Sequence, residues 1–275
     1  MRITLAQIDS DDDIQRNLGL IRAAAEAAAA DGAELVVFPE YAMYEKRAVD
    51  ASFATAAQPV DGPFASALAE LAATLRIAIV AGVVEKTDAD PRPHNTLIAV
   101  DATGSVIARY RKLHLFDSFG FRESEWIAPG DSLEPVVFEV SGLTFGLMAC
   151  YDLRFPELAR RLADAGAHAV LVCASWVPGP GKVDQWRTLA KARAIENTCF
   201  VAAASQASPI SIGTSLLADP FGAVVGELGD SPEIATFEVT SADVDAARER
   251  NPALQQRRYA QSVDAVTARP SVSGR

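Results

Sequence analysis

The chain has 275 residues, 25 Lys and Arg against 36 Asp and Glu, a formal charge of −11 and 49% apolar residues. That size and composition suit one large domain with a substantial core and exclude a disordered or fibrous chain. The acid excess argues against nucleic acid as a partner, since such affinity rests on Lys and Arg meeting phosphates.

Short apolar runs alternate with longer Ala-rich segments of helical period. Ile3–Gln7 reads as a strand, followed by a helix over Asn17–Ala30, where Leu18, Ile21, Ala25 and Ala28 share a face and Asp31-Gly32 stops it. Leu35–Phe38 is a buried strand ending at Pro39, Phe64–Leu75 a helix and Ile77–Val84 a strand. His94–Asp101 and Ser105–Arg111 form a hairpin around Ala102-Thr103-Gly104. A polar and aromatic loop covers roughly 113–131, then Val136–Val140 and Thr144–Ala149 form a second hairpin. Helix Pro156–Ala165, strand Ala169–Cys173, a helix around Val183–Glu196 and strand Cys199–Ala204 follow. Strands Thr214–Ala218, Ala223–Leu228 and Glu233–Val239 close the sheet region, and a last helix opens at the cap-like Ser241. Without a repeat or a linker, this order predicts one α/β domain over 1–265, helices covering packed sheets, and a flexible tail over 266–275.

The longest apolar stretch lies around Ile77–Val84, far below the ~20 residues of a spanning helix, so no membrane is expected as a partner. The N-terminus runs straight into a strand-like pattern, and the three cysteines include no Cys-x-x-Cys pair, so a cytoplasmic setting is expected. The only histidines, His94, His114 and His168, have no metal-ligand spacing, and no metal site is expected.

Three segments carry candidate chemistry, each at a strand end. In Phe38-Pro39-Glu40-Tyr41 a carboxylate follows a buried strand, where a raised pKa would suit a general base. In Tyr110-Arg111-Lys112-Leu113-His114-Leu115-Phe116 an ammonium opens an apolar loop, where it could stabilise an oxyanion. In Ala149-Cys150-Tyr151-Asp152-Leu153-Arg154 a thiol sits at a turn from strand toward helix, and a nearby positive charge would favour its reactive thiolate. Taken singly, each also reads as an ordinary residue: a solvated loop Glu, a surface Lys and a small buried Cys.

Together, Phe-Pro-Glu, Tyr-Arg-Lys-x-His-Leu-Phe-Asp and Cys-Tyr-Asp-Leu-Arg-Phe-Pro-Glu-Leu resemble the three motifs of the nitrilase superfamily of carbon–nitrogen hydrolases, in its order and near its spacing. The resemblance runs from Ile3 to about Tyr259 and includes Gly82, the segment Ala190–Asn197 and Ala218-Asp219-Pro220-Phe221-Gly222. It implies a four-layer α-β-β-α sandwich, a homodimer or higher oligomer, no cofactor and a small amide as substrate. It also implies Glu40 as general base, Lys112 as catalytic lysine, Cys150 as nucleophile and Glu123 as a supporting glutamate. The backbone N–H of Tyr151 becomes an oxyanion donor and Trp176 a pocket residue, with Tyr41 beside it. Cys173 and Cys199 are left to strand packing.

Within the family the chain looks most similar to omega-amidases, which cleave short 2-oxo acid amides such as 2-oxoglutaramate. The features that carry this are the Lys112 loop, the Cys150 run and Cys173-Ala174-Ser175-Trp176, followed by Gly179-Pro180-Gly181-Lys182. The alternatives are a deaminated glutathione amidase, an N-carbamoyl amino-acid hydrolase and a nitrilase, the last usually bearing Cys-Trp-Glu where this chain has Cys150-Tyr151-Asp152. An inactive binding relative is the non-enzyme reading. Arg154 is tempting as a carboxylate anchor, but its place before Pro156 favours a structural pair with Glu157 or another nearby acid. The stretch from Ser205 to Gly213, shortened against relatives, is expected to shape the pocket rim.

Overall fold

Alternation along the early strands assigns neighbouring side chains to two different cores. In the computed structural model, which describes residues 1–259, β1 (Arg2–Gln7) sends Ile3 and Leu5 to one side and Ala6 to the other, and β2 (Leu35–Val37) divides Leu35 and Val37 from Val36. A strand of period two can serve two faces only if both are covered, which is why these runs are apolar at successive positions. β3 (Ala78–Glu85) and β4 (His94–Val100) are buried throughout, and β5 (Val106–Arg111) closes the hairpin.

These strands form a sheet in the order β12-β1-β2-β3-β4-β5, with β1, β2 and β3 parallel. Its outermost member, β12 (Glu233–Glu238), runs antiparallel to β1 with Arg2 opposite Glu238. The second sheet has the order β11-β10-β9-β8-β7-β6 and again a parallel centre, here β7 (Leu143–Ala149), β8 (Ala169–Ala174) and β9 (Phe200–Ser205). β6 (Val137–Val140), β10 (Leu216–Ala218) and β11 (Val224–Glu227) flank that centre. The three late strands of the sequence therefore divide: β10 and β11 extend the second sheet, while β12 crosses to the first. A local pattern identifies a strand but does not encode which distant partner completes it.

Helices α1 (Ile14–Ala30) and α3 (Pro63–Leu75) cover the outer face of the first sheet, while α4 (Pro156–Asp164) and α5 (Lys182–Asn197) cover the second. The inner faces meet with β1 near β9, giving the four-layer α-β-β-α sandwich. Helix α1 starts three residues before the sequence pattern does, because Asp13 caps it by accepting from the N–H groups of Gln15 and Arg16. Thr240 rather than Ser241 caps α6 (Ser241–Arg250). The short α2 (Ser52–Ala56) has no periodic signal and exists to bury Phe53 edge-on against Tyr41 and Tyr44. The expectations for a domain end at 265 and for a tail over 266–275 lie outside the described residues.

Candidate active site

The site is built where strands of both sheets end. After β2 the chain turns sharply at Glu40-Tyr41, with Tyr41 at φ +56°. This turn lies directly on β3: a Cβ at Gly82 would come within 2.8 Å of the Glu40 Cα and nearer still to the Tyr41 nitrogen. Only glycine permits that approach. After β5, Lys112 is pinned at both backbone ends, its N–H donating to Asn95 O at 2.8 Å and its carbonyl accepting from Gly130 N at 2.8 Å.

Cys150 follows β7 at φ +43° and opens the 3-10 turn Cys150–Arg154. A non-glycine residue in the left-handed region is strained, and such strain persists where surrounding contacts over-determine it. Here the fastening is Asp152, fully buried, whose carboxylate accepts from Tyr110 Oη (2.6 Å), His114 Nδ1 (2.7 Å), His114 N (3.1 Å) and Ala149 N (2.9 Å). One carboxylate thus ties the Cys150 turn to the Lys112 loop.

Four of the residues picked from sequence motifs meet. Lys112 Nζ donates to Glu40 Oε1 at 2.8 Å and to Glu123 Oε2 and Oε1 at 2.8 and 3.1 Å. Glu123, on the 3-10 turn Glu123–Glu125, also accepts from Tyr41 Oη at 2.8 Å and Phe116 N at 2.6 Å. Glu40 Oε2 accepts from Ser175 N at 2.8 Å, and the carbonyl of the same Ser175 faces Cys150 Sγ at 3.6 Å. Burial opposes charge on Lys112, yet Glu123 and Glu40 outweigh it and hold its pKa well above the ordinary value. Burial pushes the Cys150 thiol up, Glu40 adds to that, and Lys112 opposes it. The resting sulfur is therefore held as a protonated thiol.

A cavity of about 330 Å³ opens over this cluster, lined by Glu40, Glu45, Lys112, Glu123, Trp126 and Cys150 among others. A smaller recess adjoins it through Phe116, Cys150, Ser175 and Val177, and is completed by Tyr151, Arg154, Trp176 and Lys182. Trp176 is buried, its indole N–H donating to Lys182 O at 3.1 Å. Tyr151 packs edge-on against Phe116 and Phe155.

Two sequence expectations are corrected. Arg154 pairs with no acid among the described residues: its Nη2 donates to Gln185 Oε1 at 2.6 Å, and Glu157 is not its partner. The helix that Pro156 starts carries Glu157 away from it. The 205–213 stretch does not line the cavity but props it from behind, Gln206 Nε2 donating to Glu40 O at 3.0 Å and Ser211 Oγ to Trp176 O at 3.0 Å.

The motifs also leave out several residues. Asn95 on β4 donates to Glu40 at 2.7 Å and to Glu123 at 3.2 Å; between His94 and Thr96 its amide carries no signal of its own in the sequence. Glu45, buried five residues after Glu40, accepts from Lys46 N with Oε1 while its Oε2 has no partner. Among the remaining cysteines, burial pushes Cys199 up to about 12 and Cys173 higher. Each histidine has a local partner: Ala128 O for His94, Asp152 for His114 and Thr144 N for His168. No cluster of three His, Cys, Asp or Glu suited to a metal is found among the described residues. No described helix is long and apolar enough to cross a membrane.

Two mixed sheets between helices, with a thiol, a lysine and two glutamates at their shared end, define a class of hydrolase, and comparison with known proteins agrees. Residues 2–249 match the carbon–nitrogen hydrolase family, and the chain belongs to it. It is 41% identical to a hydrolase of Mycobacterium tuberculosis over 98% of this chain and all of that one. It is 43% identical to a deaminated glutathione amidase of Escherichia coli over 62% of this chain and 64% of that one. Among solved structures, a nitrilase-superfamily amidase from Nesterenkonia, in a variant with acrylamide added at its active-site cysteine, superposes with a TM-score of 0.79 at 30% identity, covering 94% of this chain and 96% of that one.

Proposed function

We propose that the enzyme is a cysteine-dependent amidase acting on a short, carboxylate-bearing linear amide such as 2-oxoglutaramate. The observation that carries this is the backbone of Ser175, whose N–H holds Glu40 while its carbonyl meets the Cys150 thiol. Both oxygens of Glu123 are committed to Lys112, Tyr41 and Phe116, so Glu40 is the carboxylate better suited to take the thiol proton. Cys150 then attacks the amide carbon, and the oxyanion is held by Lys112 and the Tyr151 backbone N–H. Glu40 returns the proton to the departing nitrogen, leaving a thioester that a water activated by Glu40 hydrolyses.

A second reading, deaminated glutathione, is favoured by the name of the Escherichia coli relative. The two substrates share a 2-oxoglutaryl group and differ in the leaving amine, ammonia in one and a dipeptide in the other. Release of 2-oxoglutarate from each, beside an N-carbamoyl amino acid and a nitrile, tests both readings. Turnover of the 2-oxo amides falling at least about 10⁴-fold in Cys150→Ala is the expected result. Preference for the dipeptide amide moves the assignment to the second reading, and undiminished turnover in the variant overturns the thiol mechanism.

A further inference from the structure

One wall of the site carries positive charge that no carboxylate among the described residues pairs with. Lys182, the first residue of α5, is 7% exposed, and no carboxylate pairs with it among the described residues. Its Nζ lies 3.8 Å from the centroid of the Phe119 ring, with Phe116 and Trp176 further off. Arg154 stands beside it, 5.0 Å from the Trp176 ring, with only Gln185 on its Nη2 and a buried Nε that has no partner. Burial and the neighbouring guanidinium push the Lys182 pKa down. The N-terminus of α5 also opens here, capped by Gly181, which offers no side-chain acceptor; the one acid of its first turn, Asp184, is exposed and not paired with Lys182.

Aromatic faces compensate a buried cation only partly, and two unpaired cations together are costly. Such an arrangement is stable against selection only if something anionic uses it. The recess they line shares Cys150 and Ser175 with the main cavity, so an anion bound there lies a few bonds from any carbonyl presented to the sulfur.

We propose that Lys182 and Arg154, backed by the N-terminus of α5, form a carboxylate subsite that selects amides of short dicarboxylic acids. The proposal rests on the reading of Cys150 as nucleophile only for its link to catalysis. Lys182 is thereby a specificity-determining residue, and the Gly-Pro-Gly-Lys turn before α5 acquires a purpose.

The test uses the whole enzyme carrying Cys150→Ala, with 2-oxoglutarate binding followed by calorimetry. Adding Lys182→Met weakens binding by about tenfold or more, and Lys182→Arg recovers most of it, as expected for a charge-assisted contact. Unchanged affinity in Lys182→Met with an intact thermal transition overturns the proposal. In parallel, the unmodified enzyme is given glutaramate and pentanamide, equal in chain length but differing in the carboxylate. A preference of about 10²-fold for glutaramate supports the subsite. Equal rates overturn it and leave the amidase reading standing. Lys182-dependent binding with no amide turned over supports the subsite and removes the amidase reading.

Discussion

The two sides of Cys150 handle charge in opposite ways. On the Glu40 side, one ammonium and two carboxylates are bonded to one another and to Asn95, Tyr41 and backbone N–H groups, at distances of 2.6 to 3.2 Å. On the Lys182 side, Arg154 has one amide oxygen, that of Gln185, and Lys182 has only aromatic faces. The first arrangement is complete without a ligand, which suits the catalytic role proposed for it, since such groups should not reorganise during reaction. The second is incomplete without one, as a recognition site is. Dense satisfaction and deliberate frustration therefore mark different jobs within a few residues of the same sulfur.

Removing each lysine exposes that difference most strongly. Lys112→Met leaves Glu40 and Glu123 buried without their counter-ion. The expected cost is about 3 kcal/mol of stability, with turnover lowered ~10²–10³-fold by loss of the oxyanion donor. Lys182→Met removes a cation that the free enzyme does not balance, so its ligand-free melting temperature is expected to rise. Differential scanning calorimetry without ligand reads both signs at once. A drop in both variants would mean that Lys182 is structurally balanced after all, and the contrast would fail.

How far this was legible in the sequence follows from which interactions are local. Glu40 and Cys150 each follow an apolar strand, Lys112 follows the hairpin strand β5, and their neighbours in sequence form motifs. The side chains that hold them do not. Asn95 reaches Glu40 across 55 positions and Gln206 reaches its carbonyl across 166, with nothing in either local run to announce it. Arg154 was misread for the same reason: sequence proximity suggested Glu157, whereas the turn delivers Gln185, 31 residues on. Likewise the strand pattern at Glu233–Glu238 was plain, but its pairing with β1 is a long-range event.

One added methyl group gives the next test. Gly82→Ala drives a Cβ into the Glu40 and Tyr41 backbone, whereas Gly179→Ala, beside Lys182, meets only the Lys182 Cγ at 3.5 Å, an ordinary contact. The first substitution is expected to cost about 1–3 kcal/mol and to lower kcat by about tenfold or more as Glu40 moves. The second is expected to change neither measurably. Thermal denaturation and steady-state rates on the same amide compare them. Equal tolerance at the two glycines would show that the Glu40 turn can yield and is not held against β3.

Glu45 provides the smallest effect and the finest division within the satisfied side. Burial, followed by the nearby charge of Glu40, pushes its carboxyl well above the ordinary range, although the Ser175 side chain opposes this. Its unfolded counterpart ionises near pH 4.5, while the folded carboxyl gives up its proton only at higher pH. Between those two values the folded state binds more protons, so stability falls as pH rises, by at most about 1.4 kcal/mol per pH unit for one group. Asp50 has the opposite sign: held at about 2 by Lys46 and Ser52, it loses its contribution only in acid. Glu45→Gln keeps the shape and removes the titration. Its melting temperature is expected to equal that of the unmodified enzyme near pH 4.5 and to exceed it progressively as pH rises. Parallel curves across that range would mean that Glu45 is ionised in the fold. The cluster would then hold three carboxylates against Lys112, and the charge balance on which the contrast with Lys182 rests would no longer hold.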